Sequence, residues 1–75
     1  MNKARRKRLN EYIAELERIK DGIESVMNDE QDALDNLPDG LQGSERADAM
    51  NDACDEMDNA IDYVGDAIEA LNAAI

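Results

Sequence analysis

From Asp52 the chain repeats a seven-residue unit three times, DACDEMD, NAIDYVG and DAIEALN, and enters a fourth with AAI. Apolar residues therefore recur at alternating steps of three and four: Met50, Cys54, Met57, Ile61, Val64, Ile68, Leu71 and Ile75. That alternation is the a/d seam of an α-helix packed against another helix. It restricts the second half of the chain to one long amphipathic helix with one principal partner.

The first half carries a heptad pattern of its own. With Leu9 at a, the a positions are Leu9, Leu16, Ile23, Glu30 and Leu37, and the d positions are Tyr12, Ile19, Val26 and Ala33. Ile13, Met27 and Leu34 add apolar residues at e, a stripe wider than a two-stranded seam requires. Between the halves lies LPDGLQGS, residues 37–44, which contains the only proline and two of the four glycines. Pro38 disfavours helix at Leu37, and Asp39-Gly40 is a turn signal. Leu41 is expected to tuck back onto the end of the hairpin. Ser44 is placed to N-cap the second helix, with Glu45 and Asp48 suiting its dipole.

These signals predict helix 1 over about residues 3–36, a turn over 37–44 and helix 2 over about 45–75. The fold class is all-α, an antiparallel two-helix coiled-coil hairpin in a single domain. Folding the chain at Gly40 pairs every a with a d: Leu9–Leu71, Tyr12–Ile68, Leu16–Val64, Ile19–Ile61, Ile23–Met57 and Val26–Cys54. The same register sets Gly22 near Ala60 and Lys20 near Asp58 as a flanking ion pair. Ala53, Ala60, Ala67 and Ala74 all fall at g on helix 2. Alanine is the best helix former and fills positions at little cost, but a spacing of seven also makes a narrow, smooth flank. With Gly22 and Gly65, that flank predicts close approach by a second hairpin and a four-helix homodimer.

Size supports the same expectation. The chain has 75 residues, two tyrosines and neither Phe nor Trp, so a lone hairpin has little core to offer. Cys54 is the only cysteine; no intrachain disulfide is available, and a seam position suits a small buried thiol. No run approaches the ~20 apolar residues that span a bilayer. The basic start is not followed by a signal-peptide core, and a cytoplasmic location is expected.

Catalysis is poorly supported. There is no His, no Gly-rich phosphate loop and no nucleophile with a base partner. Glu-x-x-His pairs for a metal-binding bundle are missing, and DEQD at 29–32 does not match a calcium loop. The expectation is a non-enzyme with no cofactor and no metal.

Charge is the stronger functional signal. The net charge is −11, and it is unevenly placed. Residues 1–10 hold five bases and no acid, whereas residues 21–75 hold sixteen acids and one base, Arg46. On helix 2, Asp48, Asp55, Asp62 and Glu69 fall at b, and Asp52 and Asp66 at f. Six carboxylates on one outer stripe of ~30 Å give one charge per ~5 Å, against 3.4 Å along a single nucleic-acid strand. A solvated face is the ordinary use of such a stripe. The functional alternative is mimicry of a nucleic-acid backbone toward a partner protein with a basic groove, to which Asp21, Glu24, Asp29 and Asp32 of helix 1 would add. The acidic body repels nucleic acid and anionic membranes. The basic tip, Arg5, Arg6, Lys7 and Arg8, opposes the dipole at a helix start. It is expected beside the end of helix 2 near Asp66 and Glu69, or in a short contact with nucleic acid or an acidic partner.

The segment NLPDGLQGSERADAM, residues 36–50, together with the opening MNKARRK and the Ala-rich acidic end, resembles small acidic proteins of prophages and mobile elements of Firmicutes, particularly Clostridia. The likeness covers nearly the whole chain, and its specific part is the turn. Ala47 stands where those proteins tend to have Gly, and Gly40 where Ser is usual. The resemblance implies a phage-type accessory protein in a bacterial host cell, and carries no catalytic or binding residue with it. The expected function is therefore that of an interaction protein. One form is an inhibitor of a host defence protein, anti-CRISPR-like, that sets an acidic helix face into a nucleic-acid groove. The alternative is a structural or adaptor coiled coil whose acidity serves only solubility.

Overall fold

The computed structural model describes residues 1–75. It is all helix and turn: α1 runs Lys3–Asp35, a 3-10 turn follows at Asp39–Leu41, and α2 runs Glu45–Ala74. The two helices pack antiparallel into a rod whose Cα extents are 59 × 14 × 11 Å.

Each helix end has a local cause. Asn2 N-caps α1, its Oδ1 accepting from the Arg5 N–H at 2.9 Å. At the other end the Asn36 side chain donates to the Asp32 carbonyl at 2.9 Å. Pro38 then prevents continuation. Gln42 holds the turn closed: its Nε2 donates to the carbonyls of Leu34 at 3.3 Å and Leu37 at 2.9 Å. One side chain thus bridges the last turn of α1 and the residue before Pro38. No residue in the turn needs a positive φ, Gly40 and Gly43 included. Leu41 is 42% exposed and does not cover the hairpin end; Leu37 is half-buried there instead.

Ser44 starts α2 as expected. Its hydroxyl donates to the Leu41 carbonyl at 2.6 Å and accepts from the Ala47 N–H at 3.3 Å. Ser44→Ala is expected to cost about 1 kcal/mol, and Ser44→Thr only a few tenths. Urea melts of the three proteins followed by helical circular dichroism check this; an unchanged midpoint in the alanine variant would show the cap to be idle.

The core is thin. Only Ile13, Leu34, Ala47, Cys54 and Ile61 are buried. On α2 the seam is the expected one, since Ala47, Met50, Cys54, Met57, Ile61, Val64, Ile68 and Leu71 are all buried or half-buried. On α1 it is rotated. The residues turned inward are Leu9, Ile13, Leu16, Lys20, Ile23, Met27, Glu30, Leu34 and Leu37, the a and e positions, and Glu24 at b is half-buried beside them. The expected d residues face out: Tyr12 is 54% exposed, Ile19 43% and Val26 58%.

The pairs Tyr12–Ile68, Ile19–Ile61 and Val26–Cys54 are therefore replaced by pairs one residue further along α1. Cys54 lies against Met27, with its Sγ 4.0 Å from the Met27 carbonyl oxygen. Packing explains the rotation. Near the turn, Met27 and Leu34 at e bring more apolar bulk into the seam than Val26 and Ala33 at d. Lys20, the one charged e residue, lays its stem along the seam and carries its ammonium past Gly65. A Cβ at Gly65 would stand 3.7 Å from the Lys20 Nζ, an ordinary van der Waals distance, so the lysine passes close by without requiring a glycine there. Lys20 thus sits beside Gly65, one heptad from the expected partner Asp58. Gly22 has nothing within 4 Å of where its Cβ would stand, and no helix of its own chain approaches it.

Candidate functional site

The rotation of α1 decides which carboxylates share a face. The six predicted acids of α2, Asp48, Asp52, Asp55, Asp62, Asp66 and Glu69, are all exposed. One open groove between the helices is lined by Glu17, Lys20 and Asp21 from α1 and by Ile61, Asp62, Gly65, Asp66, Ile68 and Glu69 from α2. A smaller groove nearer the turn is lined by Met27, Asn28 and Gln31 opposite Cys54, Asp55 and Asp58. Both grooves open on the same side of the rod, because b and f residues of α1 face b and e residues of α2 in each. Glu24 belongs to this side as well, lying midway between the lining residues Glu17 and Gln31 at heptad spacing.

Of the acids expected from α1, Asp21 and Glu24 join this face. Asp29 and Asp32, at g and c, project elsewhere. Glu17 and Asp58 are members that the heptad reading of α2 alone did not include. Glu17 becomes visible only once a and e are known to be the inward positions, since that places b beside the groove. Between the levels of Asp48 and Glu69 the face collects ten carboxylates: seven along α2 and Glu17, Asp21 and Glu24 from α1. At 1.5 Å of rise per residue this is one charge per ~3 Å, close to the 3.4 Å of a single nucleic-acid strand. Lys20, in the floor of the larger groove, offsets one of them.

Cys54 sits at the inner wall of the smaller groove and is buried. Burial raises its thiol pKa above the ordinary value of 9.0, and the nearby carboxylates of Glu30, Asp55 and Asp35 push it further the same way. A thiol held protonated in this manner is a poor nucleophile. No group of His, Cys, Asp or Glu is arranged to hold a metal ion.

The basic residues Arg5, Arg6, Lys7 and Arg8 are all exposed. Arg6 folds back on the chain start, its Nη2 donating to the Met1 carbonyl at 3.0 Å. Arg5 and Arg8 border a small notch with Met1, Leu9 and Tyr12. The antiparallel register sets this tip beside the last turn of α2, while Asp66 and Glu69 lie one to two turns further along the rod.

The alanine flank divides in two. Ala53 and Ala60 are half-buried beside α1, whereas Ala67 and Ala74 are exposed. No helix is long and apolar enough to cross a membrane. No family model, no curated protein and no solved structure matches this chain.

Proposed function

We propose that this chain is a non-enzymatic interaction protein whose acidic face occupies the nucleic-acid groove of a partner protein and so blocks it. The observation that carries this reading is the two-helix carboxylate face, whose charge spacing approaches that of a nucleic-acid strand over more than 30 Å. A hairpin 59 Å long has room for the whole face on one straight surface. A basic groove shaped for a polyanion would gain from it part of the electrostatic energy that it gains from its substrate. A defence nuclease of the CRISPR type, in a bacterial cytoplasm, is the partner proposed, in keeping with the likeness to phage accessory proteins. A homodimeric four-helix bundle is part of the proposal, because so few residues are buried within one hairpin.

The test is competition for DNA by an RNA-guided nuclease. The native chain is expected to inhibit DNA binding, and the inhibition to weaken steeply between 50 and 200 mM salt, as phosphate contacts do. Replacing Asp55 and Asp62 by Asn and Glu69 by Gln is expected to weaken inhibition on the order of tenfold or more. Equal inhibition by the triple variant would sink the mimicry reading. A second reading, an adaptor coiled coil, draws on a different observation: the apolar residues Tyr12, Ile19 and Val26 left uncovered on α1. It is favoured if partner capture survives the triple substitution and high salt but is lost when Ile19 is made charged.

A further inference from the structure

Tyr12, Ile19 and Val26 stand seven residues apart, each at least 43% exposed, on the side of α1 away from the acidic grooves. Ala53, Ala60 and Ala67 stand seven apart on the same side of α2. In the antiparallel register Val26 lies within about two residues' rise, ~3 Å, of Ala53, and Ile19 and Tyr12 lie equally near Ala60 and Ala67. One face of the rod is thus a ladder of large residues beside a ladder of small ones, rung for rung. Gly22 lies between Ile19 and Val26 on this face. An exposed glycine inside a helix is unfavourable relative to alanine, and here no contact within the chain accounts for it.

We propose that this face is covered by a second copy of the chain, with α1 of one protomer laid over α2 of the other. This rests on the homodimer reading and specifies it. A two-fold axis parallel to the helices keeps every rung at its own level and sets Tyr12, Ile19 and Val26 of each protomer over Ala67, Ala60 and Ala53 of its mate. The result is an up-down-up-down bundle in which each helix is antiparallel to both neighbours. The alternative axis, across the helices, sets large residues on large and small on small, and leaves the two halves unequally spaced.

Charge favours this packing at the ends of the rod, while Glu15 and Asp29, in the same g column as Gly22, flank the face with acid. The chosen packing brings the basic start of α1, Arg5 and Arg8, over the C-terminal end of the other protomer's α2, the negative end of its dipole. It also leaves the two acidic grooves on opposite outer sides, as far apart as the bundle allows. A face two helices wide and ~50 Å long covers roughly 800 Å² per partner, the scale of a standard specific interface. One dimer would then present two independent acidic faces.

The test uses the full chain without any partner protein. Sedimentation equilibrium at tens of micromolar is expected to show a dimer for the native chain and a monomer, still helical, for Ile19→Asp. A dimeric Ile19→Asp would overturn this interface while leaving the homodimer reading in place; a native monomer would overturn both. Disulfide trapping fixes the packing, in a background where Cys54 is replaced by Ala. Ile19→Cys and Ala60→Cys chains are expected to cross-link only when mixed. Cross-linking by Ile19→Cys alone would show the other axis and refute the assignment. The acidic-face proposal is judged apart from this, by inhibition measured with the monomeric Ile19→Asp variant.

Discussion

Ile61→Ala is expected to remove about 2–4 kcal/mol of stability, the range for emptying a buried aliphatic site. Ile61 is 6% exposed and one of only five buried residues, so little is left in the core to fill the space it would leave. A chain of this length has on the order of 4–11 kcal/mol in all, so the loss is a large share of the total. Ile13→Ala, at a site 5% exposed on the opposite helix, is expected to cost a similar amount. Ile19 provides the contrast. It is 43% exposed within the hairpin, and in the dilute limit its truncation should cost less than about 1 kcal/mol. Urea unfolding of the three variants over a range of protein concentrations measures all of this. Equal losses from Ile61→Ala and Ile19→Ala in the dilute limit would restore the Ile19–Ile61 pair and refute the rotated seam.

That rotation marks how far the sequence could be read. The seam of α2 was legible because its heptads offer only one stripe of large apolar residues, with Ala and acids elsewhere. α1 offers three apolar columns, a, d and e, and periodicity alone does not choose between d and e. Lys20 made e look like an outer column, yet a lysine buries its stem and keeps its charge in water. The choice is made at the turn, where Leu34 and Ala47 are 5% and 0% exposed and Gln42 ties the end of α1 down. Hydrogen bonds from Gln42 to carbonyls five and eight residues earlier leave no repeating trace, so nothing in the pattern announced them. Ser44 was legible, since an N-cap is a local event with a local signature. The acidic stripe of α2 was legible for the same reason as its seam. The contribution of α1 was not, because it depends on which way that helix is turned: Glu17 comes into the face with the rotation, and Asp29 and Asp32 leave it.

The acidic face also carries a cost that is open to measurement. Asp48, Asp52, Asp55, Asp58, Asp62, Asp66 and Glu69 succeed one another at steps of three or four along α2, and Arg46 is the only base on that helix. Like charges at such spacings are unfavourable by about 0.2–0.5 kcal/mol per pair, which amounts to about 1–3 kcal/mol along the stripe at low salt. The last turn of α2 also has no basic residue to offset the negative end of the helix dipole. Raising salt from 10 mM toward 1 M shortens the screening length from about 30 to 3 Å, so the native chain is expected to become more stable by about 1–3 kcal/mol. The triple variant, with Asp55, Asp62 and Glu69 neutralised, should begin more stable than the native chain at low salt and gain less from added salt. Thermal melts of both proteins at the two salt concentrations measure this, and a native chain destabilised by salt would show that its carboxylates are held by favourable pairs instead. The two effects of the triple substitution then have opposite signs, a firmer fold and a weaker inhibitor. A misfolded variant cannot produce that combination, whereas a charge kept against stability, for the sake of a partner, does.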